Sequence, residues 1–189
     1  MIAIVGNSGS VLNHEYGAFI DTHDVVVRFN EAPTKLFQRY IGSKTTQRYV
    51  VYNNSLTYDL VGENIHLYSY NKKAQQEGYN KLNKENQVTY LGKEFIQKCD
   101  NMISKPYWKW RFLPNRIIIH KKMSSTGFKA VMNFKVYPDV HLFGFKPCNQ
   151  YHYWAKNDSV HGTSVNHNWW LEKQILKNLE SEGKLKIFS

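Results

Sequence analysis

Ile2-Ala3-Ile4-Val5-Gly6-Asn7-Ser8-Gly9 opens the chain, and Ile20-Asp21-Thr22-His23-Asp24-Val25-Val26-Val27-Arg28-Phe29-Asn30-Glu31-Ala32-Pro33 follows a few residues later. Ile2 to Val5 is a short, largely β-branched run with the composition of a buried strand. Gly6 and Gly9 then permit backbone angles closed to other residues, so that exposed N–H groups can converge on an anion. Val25 to Val27 reads as the next strand and delivers Arg28 and Asn30 toward its carboxyl end, the edge at which open α/β sheets bind ligands. The spacing is neither the dinucleotide G-x-G-x-x-G nor the P-loop G-x-x-x-x-G-K-[ST]. A nucleotide other than NAD, in a site unlike that of a Walker ATPase, is the expectation; an ordinary tight loop is the bland alternative.

Outward from this stretch, further strands are expected at Gln47–Tyr52, Ile65–Ser69, Val88–Leu91, Ile117–Ile119, Val140–Gly144 and Leu185–Phe188. Helical spacing appears in Lys93 to Ser104, in Thr126 to Val136, and in a last helix with Leu171, Ile175, Leu176 and Leu179 on one stripe and Gly183 as its stop. Strands alternating with helices imply an α/β fold, a mainly parallel Rossmann-like sheet flanked by helices on both faces. Lys72 to Asn86 is polar, contains Gly78, and reads as a mobile loop or weak helix and a candidate lid.

The chain of 189 residues, 42% hydrophobic and 15% aromatic, fits one folded domain over residues 1–189 rather than a disordered segment. No apolar run reaches the ~18 residues of a membrane span, and the start has no basic region of the kind that opens a signal peptide. The net charge of +10 is concentrated in the middle of the chain. It fits a solvated surface, an anionic membrane face or acidic glycolipid, or attraction to an anionic donor, with nucleic acid the least expected partner. Cys99 and Cys148 stand alone, which favours a reducing compartment; the expectation is a cytoplasmic protein, with membrane-peripheral contact as one option.

Gly6-Asn7-Ser8-Gly9, Ile20-Asp21 with His23-Asp24, Arg28 with Asn30 and Ala32-Pro33, and Gly42-Ser43-Lys44-Thr45-Thr46 together resemble the large sialylmotif of the eukaryote-type sialyltransferases, glycosyltransferase family 29. Ser125-Thr126-Gly127 with Val140-His141-Leu142-Phe143-Gly144-Phe145 resembles the small motif. His152-Tyr153-Trp154 resembles motif III, and His167 with Glu172 the very small motif. The four fall in the family's order. The resemblance implies a GT-A-like variant of the fold and inverting transfer of a sialic acid from CMP-sialic acid to a sugar hydroxyl. It leans toward galactose and an α-2,3 linkage. No cofactor or metal is implied, and the partners would be the CMP-sugar donor and a glycan or glycolipid acceptor. The resemblance further assigns Asn7, Ser8, Gly9, Asn30, Ser125, Thr126, Gly127, Gly144 and His152 to the donor site, with Arg28 and Glu172 supporting.

Beside the resemblance, Ser125 and Thr126 would cap a helix by themselves, or leave amides at its start for an anion. The resemblance implies that His152 meets the departing phosphate; read alone, it would merely end an aromatic strand. His167, read at the start of the last helix, would be kept neutral by the helix N-terminus, and the resemblance assigns it the role of general base; read alone, it would be structural. Glu172, about 140° round an ideal helix from His167, is not expected to pair with it. Asp21 and Asp24 lack the spacing of a metal pair. The chain departs from the family at Met123 and Ser124, where Tyr and Pro are usual, at Lys146, where glycine is frequent, and at Ile2 and Tyr137, where relatives carry bridged cysteines. Another CMP-sugar, Kdo or a modified nonulosonic acid, and a non-catalytic nucleotide- or RNA-binding relative are the two alternatives.

Overall fold

The computed structural model describes residues 1–52, 60–104, 122–145, 152–155 and 167–188. The expected strand at 117–119, Lys146 and Cys148 lie outside these. Seven strands form one sheet: β1 (Ile2–Val5), β2 (Val25–Phe29), β3 (Gln47–Val51), β4 (Asn64–Tyr68), β5 (Gln87–Tyr90), β6 (Val140–Phe143) and β7 (Lys186–Phe188). Their order is β5-β4-β3-β2-β1-β6-β7, and every pairing is parallel. Central strands of such a sheet are covered on both faces, which is why Ile2–Val5 and Val25–Val27 read as unbroken apolar runs.

Alternate residues of each strand serve different layers. Ile2, Ile4, Val27, Phe29 and Tyr49 pack against α4 (Lys93–Ile103), α5 (Thr126–Phe134) and α6 (Trp169–Ser181). Ala3, Val5 and Val26 face the opposite layer, where Ile20 of α1 (Gly17–Asp21) and Ile41 of α2 (Gln38–Ile41) close over them. On that layer α3 (Lys72–Leu82) covers β3 and β4 through Leu82, packed with Val50, Ile65 and Leu67. The lid expected over residues 72–86 is therefore a docked helix. Asn71 caps it, accepting from the Lys73 and Ala74 N–H groups, and Gly78 is the close-approach point: a Cβ there would lie 2.6 Å from the Tyr52 ring.

The chain runs β1 to β5 outward in one direction, then returns through α4 and α5 to lay β6 on the other side of β1. This reversal opens a crevice at the carboxyl ends of β1 and β6, the place where doubly wound sheets take ligands.

Candidate active site

At that crevice Gly6 and Gly144 stand back to back. Gly6 N–H donates to the Phe143 carbonyl at 2.7 Å. A Cβ on Gly6 would sit 2.5 Å from the Gly144 carbonyl oxygen, and Gly144 itself has φ +67°. A side chain on either would push apart the two strand ends from which Asn7, Ser8 and Phe145 leave the sheet. Ser8 pairs with His152 as an antiparallel bridge, and Tyr153 N–H donates to the Asn7 carbonyl at 3.0 Å. His152 is thereby laid alongside the glycine turn, its ring 4.6 Å from that of Trp154. Tyr153 anchors the arrangement: it is buried, packs edge-on to Phe37, and donates its O–H to the Pro33 carbonyl at 2.5 Å. Burial pushes that phenol up to about 12.

The Asn7 side-chain oxygen is buried and has no hydrogen-bond partner among the described residues. An orphaned acceptor costs about 1–3 kcal/mol, which a donor on a ligand in the crevice would recover. Asn30, at the end of β2, has φ +47°. Its side-chain oxygen accepts from Val51 N–H at 3.1 Å and its carbonyl from Arg48 Nη1 at 2.7 Å. With the oxygen fixed, the Nδ2 hydrogens are the side chain's remaining groups for a ligand. Arg28, by contrast, turns away from the crevice. Its buried guanidinium donates to the carbonyls of Ile41, Gly42 and Lys44 and to Thr45 Oγ1, and burial lowers it to about 10. Its support goes to the turn entering β3. Asp21 is likewise structural, accepting from the Ser43 and Lys44 amides.

The N-terminus of α5 faces the same edge. Ser125 is its cap, accepting from Phe128 N–H at 3.1 Å. Its own N–H and O–H are both taken by Glu172, at 2.7 Å each, so Ser125 meets α6 rather than presenting free donors. Thr126 Oγ1 bonds Tyr68 Oη at 2.8 Å. Gly127 lies under Phe145, whose ring would be 3.1 Å from an added Cβ. Glu172 is 5% exposed, and burial pushes its carboxyl up to about 7 against the opposing pull of the two Ser125 hydrogen bonds.

His167 precedes the helix it was expected to start: Asn168 is the cap, accepting from Leu171 N–H, and α6 begins at Trp169. The helix-terminus argument for a neutral ring is replaced by two others. Nδ1 lies 2.6 Å from the Met123 carbonyl, which can only accept, so Nδ1 carries the hydrogen and Nε2 is the bare nitrogen. Burial, the largest influence, holds the imidazole below its ordinary 6.5. The fixed tautomer presents Nε2 as the acceptor, and the lowered pKa favours the neutral ring that a base needs. Trp169 stands edge-on to His167, ring centroids 4.9 Å apart, with its indole N–H buried and without a partner among the described residues.

The structure thus brings together, along one sheet edge, the turn of Asn7, Ser8 and Gly9, Asn30, the start of α5, Gly144, His152 and His167. Against that geometry the sequence matches the model of glycosyltransferase family 29 (sialyltransferase) over residues 2–76 and 63–184. The chain belongs to that family. Over 199 residues it is 31% identical to the human CMP-N-acetylneuraminate-beta-galactosamide-alpha-2,3-sialyltransferase 1, covering 98% of this chain and 57% of that protein. It spans little more than half the length of such relatives. A crystal structure of a mammalian sialyltransferase superposes with a TM-score of 0.76 at 25% identity, covering 99% of this chain and 68% of that one. A segment of 48 residues is 48% identical to a beta-1,6-galactosyltransferase of Arabidopsis thaliana, covering 25% of this chain and 12% of that protein.

As a family 29 chain, it carries one cluster that the sequence reading passed over. Asp100 and Lys129 are both buried and both bind Ser124. Two signals were available. Asp100 falls on the stripe of Ile96, Cys99 and Ile103, and Lys129 stands between Phe128 and Ala130 in an otherwise apolar helix. A charge on a buried stripe marks a pairing partner elsewhere. Among the described residues no group of three His, Cys, Asp or Glu side chains is placed to hold a metal, and no helix is long and apolar enough to cross a membrane.

Proposed function

We propose that this chain transfers a sialic acid from its CMP donor to a sugar hydroxyl, galactose being the favoured acceptor and α-2,3 the favoured linkage, with inversion at the anomeric carbon. The observation that carries the reading is the Met123–His167 hydrogen bond, which makes Nε2 the unprotonated ring nitrogen. In the reaction Nε2 takes the acceptor's hydroxyl proton as that oxygen bonds to the anomeric carbon. The bond from that carbon to the phosphate oxygen breaks, and CMP departs. His152, held beside the glycine turn, is the group to stabilise charge on the leaving phosphate. Asn7, Asn30 and the opening of α5 hold the nucleotide, and the orphaned Asn7 oxygen fits a hydroxyl or amino donor on it. No metal is needed in this scheme, because amides and His152 meet the phosphate.

The test is incubation with CMP-N-acetylneuraminate and a panel of β-galactosides, followed by mass analysis of the products. Addition of one sialyl residue to a galactoside is the expected result. A second reading, transfer of another sugar, is favoured by the 48-residue likeness to a galactosyltransferase, since that stretch by itself does not fix the donor sugar. Product from CMP-Kdo or from another nucleotide sugar, with none from CMP-N-acetylneuraminate, would select it.

A further inference from the structure

Lys129 has no solvent exposure and Asp100 has 3%. Neither is used by the transfer chemistry, and a buried charge is costly unless it is paired and hydrogen-bonded. The two lie 3.6 Å apart, and what they share is Ser124. Ser124 N–H and O–H donate to Asp100 Oδ1 at 2.8 and 2.7 Å, while its carbonyl accepts from Lys129 Nζ. Every polar group of that one residue is therefore taken by the pair. Tyr70 O–H also donates to Asp100, and the ammonium lies 4.8 Å from the centroid of the Tyr68 ring. On either side, Met123 is bonded to His167 and Ser125 to Glu172. Apolar side chains filling the same space often match or exceed the stability of a buried ion pair, so stability alone does not account for this one.

We infer that Lys129 and Asp100 are positioning residues for His167: by gripping Ser124 they fix the carbonyl that holds Nδ1, and they set one charge of each sign beside the base. The inference rests on the reading of His167 as base. Facing the cluster are Asp100 and Cys99 from α4, Tyr68 and Tyr70 from the end of β4, Glu172 from α6, and Lys122 ahead of Met123. After burial and the Met123 bond, Lys129 lowers the proton affinity of His167 and Asp100 raises it. Removing one or the other must then move the base in opposite directions.

The experiment is kcat against pH for sialyl transfer by the wild-type protein, Lys129→Gln, Asp100→Asn and His167→Ala, with CMP binding as the check on folding. Lys129→Gln retains a donor for the Ser124 carbonyl and loses the charge; its acidic limb should rise by roughly half a pH unit or more. Asp100→Asn should shift that limb downward. If His167→Ala keeps the wild-type limb, the base reading fails and this inference with it. If His167→Ala loses the limb while the other two variants titrate with wild type or shift together, the base stands and the positioning role is overturned. Loss of CMP binding in both Lys129→Gln and Asp100→Asn also overturns it, making the pair a stability element.

Discussion

His167 Nδ1 lies 2.6 Å from the carbonyl oxygen of Met123, a residue 44 positions earlier in the chain. The contact crosses from the approach to α6 to the approach to α5, and it decides which ring nitrogen is bare. If that nitrogen takes the acceptor proton, His167→Ala should cut transfer by roughly 100-fold or more and leave CMP affinity nearly intact. Because burial holds the imidazole below 6.5, the neutral ring is favoured at pH 7 and charges on acidification. The acidic limb of the wild-type rate should therefore have its midpoint below pH 6.5, and the variant should lack it. Initial rates at saturating acceptor across pH, beside calorimetric titration of CMP, measure both.

Asn30 offers a cleaner probe of the donor site than truncation allows. Asn30→Asp keeps the oxygen that accepts from Val51 N–H but replaces the Nδ2 donor with a second acceptor bearing charge. CMP affinity should fall by about 1–3 kcal/mol, with thermal stability little changed. Unaltered affinity by calorimetry would remove Asn30 from the site.

Glu172 makes a claim about stability. Its carboxyl titrates at about 7 in the folded chain against an ordinary 4.5, so between those values the folded state binds more protons than the unfolded one. Stability must then fall as pH rises from 4.5 to about 7 and stay level above, a contribution of at most about 3 kcal/mol. Glu172→Gln should flatten this part of the profile. Urea unfolding at pH 5, 6, 7 and 8 in both proteins gives the comparison; parallel slopes would rule out a raised carboxyl.

With amides and His152 as the expected partners of the phosphate, CMP titrations with and without EDTA should give the same affinity. A large loss on chelation would mean that a metal takes part in donor binding.

Cys99 is buried, and burial pushes its thiol up to about 11. Expecting no bridge, we anticipate the same unfolding midpoint with and without reductant; a lower midpoint with reductant would show a disulfide.

The sheet was legible because its central strands are covered on both sides, so β1, β2 and β6 stand out as apolar runs ending in the residues that line the crevice. The helix α3 was legible only as one of two readings. Its mean polarity and Gly78 resemble a loop, and only the proximity of Tyr52, delivered by β3 from a distant part of the sequence, explains why glycine belongs there. The site divides in the same way. Side chains named by motif could be read from the sequence, whereas the Met123 carbonyl and the full engagement of Ser125 by Glu172 are backbone and long-range matters. His167, expected at the start of the last helix, lies two residues ahead of it for a related reason: the Asn168 cap, a modest local signal, sets where the helix begins.

The grip on Ser124 also bears on how the chain could diversify. Asp100 near the end of α4 binds Ser124, and Ser104 Oγ donates to the Lys122 carbonyl at 3.1 Å, so the two ends of the 105–121 stretch are stapled together. Substitutions that leave these contacts intact should leave the base in register, because that register follows from the docking of α4 on α5 and not from the path of the chain between them.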